Sequence, residues 1–263
     1  MTLNHVLTAY NTATRSDNKI HDDDVASKLG FTGGLVPGVE VFAYMAHVPV
    51  NHWGKAFLSG GQMRGRFLSP VYDGEKTLVE GVEDPDRLAL TVSNPAGDTC
   101  AVGEARLRRA DEARPKIIPS APRIHPTQRP PASPASLPKG KHLGSLHETY
   151  MAEECGWYMK AVREPLSFYA QERICHPGFL LRRANFVLAY SVVLGPWIHV
   201  ESDVAFLSPL RDGEPFTTSA IVTDNFEKGG HLFVDLDVSI VSEDRPVMAG
   251  THRAIYEPKQ LRG

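Results

Sequence analysis

One short pattern occurs twice in this chain, and it limits the fold more than any other feature. Phe67-Leu68-Ser69-Pro70 leads to Asp73-Gly74-Glu75, and Phe206-Leu207-Ser208-Pro209 leads to Asp212-Gly213-Glu214, 139 residues later. Pro37-Gly38 has a counterpart in Pro177-Gly178, 140 residues later. Two independent landmarks at nearly one offset mark an internal duplication. An apolar helix is predicted after each Pro-Gly. In the first half Val39, Phe42, Ala43, Ala46 and Val50 recur at helical spacing, and the helix should stop near His52, before Gly54. In the second half the helix should run from Phe179 to Val193.

Alternation after each FLSP block predicts strands. Leu88, Leu90 and Val92 share one face, as do Ala101, Gly103, Ala105 and Leu107. Leu232, Val234, Leu236, Val238 and Ile240 form one face of a later strand, with Phe233, Asp235, Asp237 and Ser239 on the other. Asp84-Pro85-Asp86 and Asn94-Pro95-Ala96-Gly97 read as turns. Residues 3 to 14 read as a first strand or a short helix. Each half is thus an α+β unit, one helix wrapped by an antiparallel sheet. The halves span residues 1–110 and 148–263. Residues 111–147 between them carry Pro115, Pro119, Pro122, Pro126, Pro130, Pro131, Pro134 and Pro138. That density excludes helix and central strand and predicts an extended linker, with a ligand for a proline-reading domain as the other reading.

Composition narrows the function classes. In 263 residues a hydrophobic fraction of 42% can form a real core, and a net charge of -3 gives no reason to expect a nucleic-acid partner or an acidic membrane. No apolar run is long enough for a bilayer, and MTLNHVLTAY lacks the basic start and apolar block of a signal peptide. Cys100, Cys155 and Cys175 have no metal spacing and fit reduced thiols in a cytoplasmic protein. No Walker loop, dinucleotide fingerprint, zinc spacing or Ser-His-Asp elbow is present.

The chemistry concentrates between Ser16 and Gly38, SDNKIHDDDVASKLGFTGGLVPG. His21 lies in a polar, acidic loop. A helix-like run, Val25 to Leu29, follows, and then a glycine-rich turn through Gly33, Gly34, Pro37 and Gly38 opens the long apolar helix. A histidine can move a proton, and free amides at a helix start can hold a developing oxyanion. Each residue also has an ordinary reading. His21 can hydrogen-bond locally. Asp22, Asp23 and Asp24 suit a helix N-cap and first turn. Asn18 suits a turn, and Glu40 suits the first turn of the central helix. His47 reads as a helix-face residue, and Trp53, Trp157 and Trp197 as core or rim aromatics. Arg64, Arg66, Arg182 and Arg183 could meet phosphates but also suit a solvated surface.

Asn18-x-x-His21, the acidic residue after it, Ala26, Gly30-Phe31 and the turn before Gly38 resemble the motif of the MaoC-like acyl-thioester hydratases and dehydratases. With the duplication, nearly the whole chain resembles a double hot-dog protein: two repeats, each a long central helix wrapped by an antiparallel sheet. The resemblance implies a lyase of acyl-CoA or fatty acid metabolism acting on an enoyl or 3-hydroxyacyl thioester. Coenzyme A or phosphopantetheine would be part of the substrate, with no further cofactor and no metal. It implies an intramolecular pseudo-dimer, and a homodimer of such chains stays open. His21 would be the acid and base, with Asp17 or Asp22 as its carboxylate partner. Asn18 would support the site, and Gly38, after Pro37, would bind the thioester oxygen.

The sequence departs from that motif. Ser16 stands where the family has its catalytic aspartate, and Pro37 stands where it has a histidine. His176-Pro177-Gly178 in the second repeat has no Asn-x-x-His at the equivalent distance before it, so at most one active site per chain is expected, with the second repeat shaping the channel. Two further readings stay open. One is a hot-dog thioesterase using Glu40. The other is an acyl-binding protein that lost the family aspartate.

Overall fold

The computed structural model describes residues 1–14, 16–28 and 30–261. The first half supplies strands β1 (Thr2–Thr8), β2 (Gly61–Phe67), β3 (Lys76–Asp84), β4 (Arg87–Ser93) and β5 (Thr99–Leu107). The second supplies β6 (Leu146–Thr149), β7 (Ile198–Phe206), β8 (Pro215–Lys228), β9 (His231–Ser242) and β10 (Arg245–Glu257). All ten make one antiparallel sheet in the order β1-β3-β4-β5-β2-β7-β10-β9-β8-β6. The order reads the same from both ends once each strand is replaced by its counterpart in the other half. The halves join where β2 pairs with β7, Gln62 opposite Ala205 through Arg66 opposite Glu201. Residues 3–14 therefore begin as a strand, not a helix.

The repeated FLSPxxDGE pattern does the same job in each half. The amides of Leu68 and Leu207 donate to the carbonyls of Cys100 and Val247, both at 2.8 Å. Asp73 accepts from the Asn11 amide at 2.8 Å and Asp212 from the Ala152 amide at 2.7 Å. Gly74 and Gly213 both have positive φ, +77° and +76°, which glycine adopts without steric cost. The pattern therefore fastens the first strand's exit to the turn before the third.

Two long helices pack on the sheet's inner face. The first, α2 (Gly38–Trp53), is preceded by a short helix, α1 (Asp23–Lys28), and followed by α3 (Lys55–Gly60). Every α2 residue from Val39 to Val50 is buried, so the helix is enclosed on all sides. The last residue of the run expected over Val25–Leu29 lies outside the described residues. In the second half α4 (Ala152–Ala161) and α5 (Phe168–Glu172) precede the second long helix, α6 (Pro177–Ala189). This helix stops four residues short of the expected Val193. The reason is tertiary: the Val193 amide donates to the Pro130 carbonyl at 2.8 Å, and Val193 accepts from the Ala132 amide at 2.9 Å.

Those partners belong to the proline-rich segment, which is not a free spacer. It is extended, but Ile118, Leu137 and Leu143 are buried in it. The Ile118 amide donates to Ser239 Oγ at 2.9 Å, and the Leu143 amide donates to the Ala220 carbonyl at 3.0 Å. The segment is a strap along the second half, and it explains why Ser239, on the face of β9 opposite Val238 and Ile240, is buried.

The long helices meet at Gly178. A Cβ there would lie 2.4 Å from Ala43 Cβ and 2.5 Å from the Tyr158 hydroxyl. Gly178→Ala should therefore lower stability by about 1–3 kcal/mol through overpacking, read as a fall in melting temperature. An unchanged melt would show that the helices are less tightly joined than these distances require.

Candidate functional site

Asn18 builds the site. Its side-chain amide pairs with the backbone of Trp197 in the other half, Nδ2 donating to the carbonyl at 2.9 Å and Oδ1 accepting from the amide at 3.1 Å. It also begins the 3-10 turn Lys19–His21, whose Ile20 is buried. That turn carries His21 inward. His21 Nδ1 lies 2.6 Å from the Leu35 carbonyl oxygen, so Nδ1 carries the proton and donates. Nε2 is left with a lone pair, and its one polar neighbour among the described residues is Asn18 Nδ2 at 3.4 Å. Burial lowers the pKa of His21, opposed by the bond to Leu35. The ring is a neutral base near pH 7.

The glycine-rich turn is what allows this approach. A Cβ on Gly34 would lie 2.3 Å from the His21 carbonyl oxygen. The Gly34 amide donates to Asp23 Oδ1 at 2.6 Å, which pins the turn. Pro37 caps α2 without a side-chain hydrogen bond. Among the described residues no acceptor meets the amides of Gly38 or Val39, whereas the Glu40 amide donates to the Pro37 carbonyl at 2.9 Å. Gly38 thus opens a helix with free donors.

Two cavities meet at His21. The smaller, about 240 Å³, is lined by His21, Gly38 and apolar residues that include Leu35, Val41 and Phe67. The larger, about 560 Å³, is lined by His21, Asp17, Arg129, Arg182 and Tyr190. Asn18, Pro37, Asn185 and Trp197 line both. Asn185 and the backbone at Trp197 come from the second half, and sequence reasoning gave neither a site role.

The carboxylate partners expected for His21 are not there. Asp22 turns away and caps α1, accepting from the amides of Asp24 at 3.1 Å and Val25 at 3.3 Å. Asp17 is exposed at the larger cavity and makes no described bond to His21. The Leu35 carbonyl fixes the tautomer instead. Ser16, at the family aspartate position, spends its hydroxyl on the Asn18 amide at 3.1 Å.

Glu40 is fully buried and already engaged. It accepts from Thr12 Oγ1 at 2.7 Å and from the Tyr158 hydroxyl at 2.8 Å, and Arg182 Nε lies 3.4 Å away. Arg64 pairs with Glu201 and Arg183 with Glu148, so these arginines are not free for a phosphate. His47 is no simple helix-face residue. Its Nδ1 lies 2.9 Å from Glu164 Oε1, and its ring stacks on His5 at 3.9 Å.

The second helix start is closed. His176 Nδ1 accepts from the Gly178 amide at 3.0 Å, and Ala43 and Tyr158 occupy the space in front of Gly178. Burial pushes the pKa of Glu164 up, but hydrogen bonds with His176 and His47 outweigh it and hold the carboxyl at about 2.

No family model matches this sequence, and no curated protein matches it. Solved structures do. A MaoC domain protein described as a dehydratase, from Chloroflexus aurantiacus, superposes with a TM-score of 0.65 at 11% identity, covering 98% of this chain and 95% of its own. A conserved protein from Mycobacterium tuberculosis described as a double hot dog gives 0.61 at 12% identity, with 95% of each chain covered. The fold is a double hot dog. A structure described as an oleoyl thioesterase, from Lactobacillus plantarum, shares this fold with a TM-score of 0.54 at 11% identity, covering 98% of this chain and 97% of its own. Among the described residues no helix of the double hot dog is long and apolar enough to cross a membrane. No cluster of three or more His, Cys, Asp or Glu among them could hold a metal ion.

Two outcomes follow from this geometry. Asp22→Ala should cost about 1 kcal/mol of stability as a lost helix cap, read as a fall in melting temperature. An unchanged melt would show that Asp22 does not hold the start of α1. Burial also lowers the pKa of His5 to about 4, with His47 adding to the effect, and that of His252 to about 3. An unfolded histidine titrates near 6.5. Between those values the unfolded chain binds more protons, so stability rises with pH across the window. Glu164 acts in the same sense at lower pH, its stabilisation being lost as pH falls from its ordinary value toward about 2. Melting temperature should climb from pH 4 to pH 7, and a flat calorimetric profile would contradict the burial of these rings.

Proposed function

We propose that the chain hydrates an enoyl thioester, or dehydrates a 3-hydroxyacyl thioester, with His21 as the acid and base. One observation carries the reading. The imidazole has its proton fixed on Nδ1 and a lone pair on Nε2 that meets only the Asn18 amide nitrogen among the described residues, and the residue lines two cavities, one of which Gly38 also lines. In hydration the water oxygen bonds to C3 of the enoyl group and gives a proton to Nε2. The 2,3 double bond opens toward the thioester carbonyl, whose oxygen becomes enolate-like against the Gly38 amide. His21 then returns the proton to C2. With no carboxylate beside it, one base serves both transfers. A single preorganised donor of this kind is worth about 3 kcal/mol of barrier. Coenzyme A or a carrier's phosphopantetheine belongs to the substrate, and the scheme needs no further cofactor.

The two cavities suit the two parts of such a substrate. The smaller is mostly apolar and fits the acyl chain. The larger carries Arg129, whose Nη1 donates to the Ala189 carbonyl at 2.9 Å and which has no carboxylate partner among the described residues. It suits the polar arm. The thioesterase reading is weaker, because both oxygens of Glu40 are taken up by Thr12, Tyr158 and Arg182.

A crotonyl thioester separates the classes. Hydration lowers the enoyl absorbance without releasing thiol. His21→Ala should cut that rate by about 10²–10⁴-fold. In the wild type the hydration rate should fall as acid protonates Nε2, with a midpoint below the ordinary histidine value because burial lowers it. Thiol release would point to a hydrolase. Neither signal, with a melting temperature raised by the ligand, would point to a binding protein.

A further inference from the structure

The second repeat brings to the cavity a histidine that the scheme above does not use. His199, on β7, is 6% exposed and lines the smaller cavity. It sits against the start of α2: a Cβ on Gly38 would lie 3.0 Å from His199 Nδ1. His199 Nε2 is 2.8 Å from Ser202 Oγ, and that oxygen is 3.0 Å from His252 Nδ1. The two rings stack with centroids 4.3 Å apart. The outer nitrogens, His199 Nδ1 and His252 Nε2, are buried and have no hydrogen-bond partner among the described residues. An unmet buried polar atom is costly, so two in one cluster ask for an explanation.

The serine has one proton to give, and two arrangements follow. In one, Ser202 donates to His252 and accepts from His199. That puts a hydrogen on His252 Nε2, which is buried like His199 Nδ1 but belongs to a residue that lines neither cavity. In the other, Ser202 donates to His199 Nε2 and accepts from His252. The hydrogen then sits on His199 Nδ1, buried against Gly38, and His252 keeps an unmet acceptor. Either way one donor is unmet within the protein, and only the second arrangement puts that donor on a residue of the cavity wall, where a bound carbonyl can accept from it. Burial, with His252 adding to it and a backbone contact at Glu201 opposing it, keeps His199 neutral well below the ordinary histidine range.

We propose that His199 Nδ1–H is a second donor to the thioester oxygen, beside the Gly38 amide and supplied by the second repeat. Ser202 is its positioning residue, holding the tautomer that points the hydrogen into the cavity. The proposal rests on the acyl-thioester reading of this cavity, and it adds what that reading lacks. A lone amide becomes a pair of converging donors, one from each repeat.

Two substitutions that both keep an amide at position 199 test it. His199→Gln reaches the Nε2 position, so it keeps the serine contact and loses the donor beside Gly38. His199→Asn matches Nδ1, so it keeps the donor and loses the serine contact. The readout is the infrared stretch of the carbonyl in bound butyryl-coenzyme A, which cannot be hydrated. Wild type and His199→Asn should show it shifted to low frequency, and His199→Gln should return it part of the way toward its position in water. With crotonyl-coenzyme A, His199→Gln should lose about 100-fold in kcat with little change in KM, and His199→Asn should recover most of it. A purely structural role predicts the reverse order, with His199→Gln the milder change.

A wild-type carbonyl frequency in His199→Gln, or failure of butyryl-coenzyme A to bind the wild type, would overturn the proposal. If the frequency pattern holds but no hydration occurs in the wild type, the donor stands and the hydratase reading falls. If hydration occurs and the frequency ignores position 199, the reverse is true. Should both variants fail to fold, ¹⁵N-histidine NMR of the wild type gives the answer. Butyryl-coenzyme A should move the Nδ1–H signal of a neutral imidazole, and no such movement overturns the assignment.

Discussion

The site depends on one pairing: the side-chain amide of Asn18, from the first repeat, bonded to both backbone groups of Trp197, from the second. An amide that gives and takes one hydrogen bond each matches a peptide unit edge to edge, as a neighbouring strand would. Neither an aspartate nor a leucine of similar size could do both. The pairing is buried, so breaking it would leave polar groups unmet at a cost that water cannot offset. It fixes the turn that carries His21, and it brings the first repeat's loop to the edge of the second repeat's first long strand. His21, Gly38, Asn185 and His199 share a cavity because that loop and that strand are joined.

This joint explains what the sequence could and could not reveal. The FLSPxxDGE pattern was legible because its aspartate and glutamate each accept from a backbone amide in both halves, Asp73 and Asp212 from Asn11 and Ala152, Glu75 and Glu214 from Tyr72 and Arg211. The opening of α2 was legible because Pro-Gly before an apolar helical period has few other uses. The strap was not. Proline density excludes regular structure, but it says nothing of whether Ile118, Leu137 and Leu143 find a surface to cover. The end of α6 was misjudged for the same reason, since the strap takes Val193 out of the helix. Asn185 and His199 stand more than 160 residues from His21 in the chain, and tertiary joints, the β2–β7 pairing and the Asn18–Trp197 bonds among them, place them near it. A histidine in a strand carries no periodic signal of its role.

The carboxylates were misjudged for a different reason. Three consecutive aspartates beside a histidine invite an ion pair, but helix α1 competes for them. Asp22 satisfies two of its amides, and Asp23 satisfies the Gly34 amide. With Asp22 and Asp23 turned to these backbone donors, neither meets the imidazole. A backbone carbonyl then does the orienting. It sets the tautomer as firmly as a carboxylate would, and it brings no negative charge to stabilise an imidazolium. Such a site favours a histidine that stays neutral at rest and carries a proton only briefly.

The two helix starts show how a duplicated fold can keep one site and close the other. In the second repeat His176 turns its own Nδ1 onto the first free amide of α6, and the neighbouring helix fills the space in front. That end is self-capped and has nothing to offer a ligand. In the first repeat the N-cap of the long helix is a proline, Pro37. Proline has neither a side-chain acceptor nor an N–H, so it cannot cap the amide of Gly38. The substitution that departs from the hydratase motif therefore leaves the donor exposed to the cavity. With His176 already bound to Glu164 and Gly178, the second helix start can stabilise the joint between repeats but cannot serve chemistry, and the asymmetry of the molecule begins at that pair of residues, Pro37 and His176.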